Sequence, residues 1–113
     1  MSVNTAWFLL LLAIAAEVVG TSCLKLSAGM TRLGPSLTVV LAYSLAMMLM
    51  AKAVQVIPLG LSYALWSGIG IIAIVLVGVL AYRQIPTTAQ LLGIALITVG
   101  VVVVNLGGAQ PPA

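Results

Sequence analysis

From Thr5 to Leu24 the chain runs for about twenty residues with a single charged side chain, and three further runs of the same character follow. They extend roughly from residue 36 to 51, 59 to 82 and 88 to 106. The breaks between them are short and polar or turn-forming: Lys25 with S-A-G-M-T-R-L-G-P, Lys52 before Pro58, and R-Q-I-P after Tyr82. At about 1.5 Å per residue, helices of some 17–25 residues cross a hydrocarbon core of roughly 30 Å. The runs are continuously apolar, without the alternation that barrel strands require. The expected fold is therefore an all-α integral membrane protein, residues 1–113 forming one domain of four transmembrane helices. Residues 107–113, ending Q-P-P-A, are expected to fray as a flexible tail.

Composition removes the soluble alternative. With 64% hydrophobic and 4% charged residues, the chain has too little polar material to cover a water-facing surface. It has no histidine and one cysteine, which excludes a His/Cys metal cluster or a disulfide within one chain. No cofactor is implied, no enzyme chemistry is suggested, and Cys23 fits a small buried apolar role. The net charge of +3 rests on Lys25, Arg32, Lys52 and Arg83, each near the end of an apolar run. Such dispersed cations suit bilayer anchors better than a nucleic-acid patch. The first run lacks the basic start of a signal peptide and is too long for one, so it is expected to remain in the mature protein. No G-x-x-x-x-G-K-[ST] loop occurs, which argues against ATP as an energy source.

Orientation is weakly specified. The amino terminus and Lys52 fall on one side of the membrane; Lys25, Arg32 and Arg83 fall on the other. That bias is small, so both orientations are expected.

The one acidic residue, Glu17, lies well inside the first run. A charge near mid-bilayer costs at least about 2.5–3.5 kcal/mol on insertion scales, so it is rarely idle. A structural pair with Lys25 is the alternative, but Lys25 is two turns away and near the interface. Helical spacing puts Leu10, Ala13, Gly20, Thr21 and Leu24 on the same broad face, and the small ones leave room beside the carboxylate. A bound ligand needs that room, whereas a tight ion pair does not. A proton and an organic cation compete for one carboxylate, and that competition is sufficient chemistry for exchange across a membrane.

The third run contains P-L-G-L-S-Y-A-L-W-S-G-I-G. Tyr63 and Trp66 are three apart and share a helix face, where aromatic rings attract a desolvated cation. An interfacial aromatic belt is the alternative, although Trp66 lies several residues inside the run. Gly68 and Gly70 follow, a pair that can support a kink. In the fourth run Gly93, Gly100 and Gly107 recur every seven residues, a narrow stripe that lets another helix approach, in the same subunit or another.

A-E-V-V-G-T, K-L-S-A-G-M-T-R-L-G-P-S, I-P-L-G-L-S-Y-A-L-W-S-G-I-G and the late N-L together resemble the small multidrug resistance family, over essentially the whole chain and in order. The resemblance implies a bacterial inner-membrane, antiparallel, dual-topology homodimer that exports organic cations in exchange for protons. It implies that the two copies of Glu17 bind proton or substrate. Tyr63 and Trp66 would line the same chamber, with Ala13, Thr21 and Tyr43 nearby. Gly68 and Gly70 would match the hinge, and Gly93 and Gly100 the dimer contact. The family's guanidinium exporters typically carry Trp at the position of Gly20 and favour Ser at that of Ala46, so the resemblance is closer to the quaternary-ammonium, multidrug branch. The chain departs from the family pattern in the loop Y-R-Q-I-P-T-T and at Ala28, where an acidic residue is frequent. A rotor-type proton-carrying subunit is a reading of another class, but such chains place their carboxylate in the second of two spans and lack the aromatic pair. A passive channel is a third.

Overall fold

The computed structural model describes residues 1–107. Four helices account for most of them: α1 Val3–Leu24, α2 Leu33–Ala53, α3 Leu59–Tyr82 and α4 Thr88–Leu106. Each is long and apolar enough to cross a bilayer. Of the tail expected at residues 107–113, all but Gly107 lies outside the described residues.

The helix ends follow from capping chemistry. Ser2 starts α1 two residues earlier than the apolar run suggests, its side chain accepting a hydrogen bond from the Thr5 N–H at 3.1 Å. Helix α2 begins at Leu33 rather than at residue 36, taking in Gly34 and Pro35. A proline in the first turn forfeits only an N–H that has no helical partner there. The helix also runs past residue 51 to Ala53, so Lys52 falls in its last turn, where the helix dipole favours a cation. Pro58 caps α3 at its start, and α3 ends on Arg83 in the left-handed region (φ 54°), with the Arg83 N–H donating to the Gly78 carbonyl. Thr87 and Gln90 form a reciprocal capping box at the start of α4.

The connection between α1 and α2 is organised by one side chain. Ala28, Gly29 and Met30 all adopt positive φ, which is costly for the two non-glycine residues. Buried Ser27 holds them in place. Its hydroxyl donates to the Leu24 carbonyl at 2.6 Å and accepts from the Met30 N–H at 3.1 Å. Its carbonyl accepts from Thr31 and Arg32.

Helix α1 packs most extensively against α2 and also against α3, and α3 packs in turn against α4. On α1 the buried residues Ala6, Leu10, Ala13 and Gly20 recur every three or four positions, and Glu17 belongs to the same stripe. Phe8, Leu11, Leu12 and Val19 point the other way and are exposed, as lipid-facing residues should be. The core joins Ala6, Leu10, Ala13 and Ile14 to Met50 and Ala53 of α2, Ile57 of the following turn and Leu65 of α3. Lipid tails are as apolar as these side chains, so close packing rather than water exclusion holds the helices together. Ser62 is fully buried beside this core with its hydroxyl unpartnered among the described residues. An unsatisfied buried hydroxyl costs about 1–3 kcal/mol, so Ser62→Ala is expected to leave stability unchanged or raise it by about 1 kcal/mol. Denaturation of the purified protein in mixed micelles checks this; a clear loss would mean that Ser62 is bonded in the membrane.

No residue of α4 is buried. Its contact with α3 depends on Gly68, where any added Cβ would collide with Val101. The subunit is a slab of 43 × 34 × 18 Å.

Candidate functional site

Because Glu17 shares the packing stripe of α1, its carboxylate points toward the other helices and is half-buried. Thr21, one turn later, donates its hydroxyl hydrogen to Glu17 Oε1 at 2.6 Å. Tyr43 of α2 reaches across with its hydroxyl 2.6 Å from the same Thr21 oxygen. Thr21 has one hydrogen to give and gives it to Glu17, so Tyr43 is the donor in the second bond. The result is a directed chain, Tyr43 to Thr21 to Glu17, that fixes one carboxylate oxygen. Gly20 makes this chain possible: a Cβ there would lie 2.7 Å from Tyr43 Cε1. The missing side chain is the seat of the tyrosine ring.

The other oxygen, Oε2, faces α3. It lies 3.6 Å from where a Cβ on Gly70 would stand, and the Trp66 ring edge is 3.8 Å from that point. Glycine at 70 thus leaves this oxygen uncovered. A cavity of about 500 Å³ opens beside it, walled by Tyr63, Trp66, Ser67 and Gly70 and continued by Ile71, Ile74 and Val75. On the α2 side a smaller cavity of about 280 Å³ lies between Glu17, Trp66, Tyr43, Ala46 and Met47. Glu17 and Trp66 border both. The Trp66 and Tyr63 rings are tilted at 59°, with centroids 6.5 Å apart. Tyr63 is 64% exposed, so within one subunit it is an outward edge rather than an inner wall.

The structure therefore brings together Glu17, Thr21, Tyr43, Tyr63, Trp66 and Gly70. Ala13, expected near the chamber, is fully buried in the α1–α2 core and is not among the residues lining the cavities. Gly68 packs against α4, and α3 continues unbroken through Gly68 and Gly70. A Cβ added at Gly93 or Gly100 would meet nothing, and Gly93 borders a cavity of about 610 Å³ between α3 and α4. Lys25, the alternative partner for Glu17, places its ammonium over the Tyr82 ring at 5.1 Å, while the Tyr82 hydroxyl donates to the Ser22 carbonyl at 2.6 Å. Ser67, Ile71, Ile74 and Val75 were not singled out from the sequence. Helical spacing from Gly70 points to Ser67, Ile74 and Val75, which lie three to five residues from it along α3, and Ile71 directly follows it.

Four helices long and apolar enough to cross a membrane, with the chain's one acid beside an apolar and aromatic cavity, define a multi-pass membrane protein. Residues 5–97 match the family model described as Small Multidrug Resistance protein, and the chain belongs to that family. It is a multi-pass protein of the bacterial inner membrane. It is 44% identical to multidrug transporter PA4990 of Pseudomonas aeruginosa, over 90% of this chain and 93% of that one. It is 40% identical to quaternary ammonium compound-resistance protein QacE of Escherichia coli, over 88% of this chain and 91% of the other. Multidrug transporter EmrE of Escherichia coli (strain K12) is 39% identical over the same shares.

Proposed function

We propose that this protein exports hydrophobic and quaternary ammonium cations in exchange for protons, with Glu17 holding either a proton or the cation. The carrying observation is the position of Glu17: one oxygen is fixed by Thr21 and the other faces a cavity walled by Trp66 and Gly70. A bare carboxylate at this depth is poorly solvated, and either a proton or a cation neutralises it. Loading one releases the other, which is the coupling step. Trp66 and Tyr63 add the face of a π-system to the cation's surroundings. The relatives named for multidrug or quaternary ammonium resistance support this substrate class.

Ala46 and Met47 in the α2-side cavity, and Ile71, Ile74 and Val75 in the other, leave much of the chamber wall without hydrogen-bond donors or acceptors. A guanidinium ion, planar and rich in N–H groups, gains most from fixed acceptors. Bulky alkylated cations gain most from apolar walls, and they suit this chamber better.

The working unit in this proposal is an antiparallel homodimer. A slab 18 Å thick with Tyr63 at its edge does not enclose a cation, whereas a second copy completes the chamber and brings a second Glu17. Gly93, which borders the cavity between α3 and α4, and Gly100 leave room on α4 for close approach of the second copy. Gly68 and Gly70 are the hinge about which the two halves of α3 change angle.

The decisive experiment is uptake of a labelled quaternary ammonium into proteoliposomes with an imposed pH gradient. Accumulation against its concentration gradient, with matching proton release, is expected. Flux indifferent to pH would instead identify a passive channel, and no flux of organic cations would favour a rotor-like subunit. Within the same assay, Trp66→Ala is expected to weaken binding of a quaternary ammonium by roughly 0.5–2 kcal/mol, about two- to thirtyfold in Kd. Unchanged affinity by calorimetry would reassign Trp66 to packing.

A further inference from the structure

Among the described residues, two side-chain hydrogen bonds cross from one helix to another. Tyr43 to Thr21 ties α2 to α1 beside Glu17, and Tyr82 to the Ser22 carbonyl ties α3 to α1 at one end of the bundle. The first belongs to the Glu17 site. The second stands apart from it, since neither Tyr82 nor Ser22 lines the cavities beside Glu17.

The place of Tyr82 on α3 gives this bond its meaning. The amino-terminal half of α3 is built into the core: Leu65 is buried against α1, and Leu61 and Trp66 pack on the same cluster. Beyond Gly70 no side chain of α3 is buried. There the helix borders the Glu17 cavity through Ile71, Ile74 and Val75, and the cavity toward α4 through Ile74, Val75 and Gly78. This half is loosely packed along its length and pinned at its end. Tyr82 is its last residue, and the Arg83 and Gln84 N–H groups close the helix directly after it by donating to the Gly78 carbonyl. Both grips on Tyr82 come from the end of α1. Ser22 lies in the last turn of α1, where carbonyls run short of helical donors, and accepts the phenol hydrogen at 2.6 Å. Lys25, the residue that caps α1, sets its ammonium 5.1 Å from the ring centre, close enough for cation–π attraction.

We propose that Tyr82, Ser22 and Lys25 form a latch that holds the carboxyl-terminal half of α3 against α1 in one conformation of the subunit and releases it in the other. This rests on the reading of α3 as hinged at Gly68 and Gly70 within an antiparallel pair, and it gives that hinge a catch. From Gly70 to Tyr82 the helix is an arm of about 18 Å. A turn of about 10° at the hinge carries the end of that arm through roughly 3 Å relative to α1, which a hydrogen bond does not survive. In the pair, one subunit is latched and its partner open, so exchanging them breaks one latch before the other forms. The latch then raises the barrier to exchange. It leaves the balance untouched, because the two states of the pair are equivalent by symmetry.

The test is nuclear magnetic resonance of the purified protein in lipid bicelles, saturated with tetrapropylammonium. Two sets of amide signals of equal intensity are expected, one for each conformation, with a measurable rate of exchange between them. Tyr82→Phe keeps the ring and its contact with Lys25 and removes only the hydroxyl. It should speed the exchange about two- to tenfold, the worth of one hydrogen bond, with populations still equal and the Kd for tetrapropylammonium unchanged. The amide signal of Cys23, whose peptide group contains the Ser22 carbonyl, should shift in one set only. Lys25→Met keeps the stem and removes the charge, and it should speed exchange by a smaller factor. Its rate decides the matter if Tyr82→Phe does not fold. An exchange rate unchanged in both variants, or equal shifts of Cys23 in both sets, overturns the latch and makes the bond a fixed tether, with the hinged pair left standing. A single set of signals from the parent protein with cation bound would instead take down the asymmetric pair, and the latch with it.

Discussion

Glu17→Gln is expected to abolish pH-gradient-driven uptake while the protein still inserts, folds and assembles. Glutamine has nearly the same shape, and its carbonyl oxygen can accept the Thr21 hydrogen that Oε1 accepts now. The packing of α1 on α2 and α3 rests on Ala6, Leu10, Ala13 and Gly20, none of which is disturbed. What disappears is the group that can be charged or neutral. Two unit charges 4 Å apart attract by about 4 kcal/mol at an effective dielectric of 20, part of which is offset by desolvation. The loss in cation affinity should therefore be at least tenfold, and proton release on cation binding should fall to zero. Glu17→Asp separates charge from reach. It keeps the titrating group but withdraws it by one methylene from Thr21 and from the cavity, so coupled transport should persist at reduced affinity. Coupled uptake by the glutamine variant at parental rates would end the proposal that Glu17 carries the proton.

The elements of the fold were legible because each is a continuous apolar run between strong breaks. Only their ends moved, where local chemistry outweighs hydropathy: Ser2 caps α1, and Pro35 is tolerated inside the first turn of α2. Which faces meet was less legible, because nearly every face of such a helix is apolar. Ala13 shows the consequence. It shares a broad face with Glu17, yet packing against α2 buries it in the core, away from the cavities. Gly20 shows another. In the sequence it is the absence of a tryptophan; in the structure it is the space that Tyr43 occupies to reach Thr21. The α3 wall of the Glu17 cavity was less legible for a similar reason. Ile71, Ile74 and Val75 carry no chemical signal of their own, and they matter only because they continue the face that starts at Gly70.

The second large effect concerns orientation. In the proposed dimer each subunit supplies an incomplete chamber, and the two Glu17 residues meet near mid-bilayer. Two copies inserted in opposite senses give the membrane-plane pseudo-symmetry that larger transporters obtain from inverted repeats within one chain. Exchanging the conformations of the two copies then turns the chamber from one side of the membrane to the other without moving Glu17. Such a pair requires that the chain insert both ways. Its basic residues allow this: Lys25, Arg32 and Arg83 lie at one end of the bundle, Lys52 and the terminal amine at the other. A difference this small directs insertion weakly. A tag at the carboxyl terminus should therefore label from both sides of the membrane in comparable amounts. Adding two or three lysines to the loop that carries Lys52 should bias insertion one way and cut transport severalfold or more. Co-expressing that variant with one carrying the lysines beside Arg32 should restore transport, since the two would insert in opposite senses and pair. Rescue of this kind is not expected if the added charges merely damage folding. A carboxyl terminus that labels from one side only, in a chain that still transports by itself, would rule out the antiparallel pair.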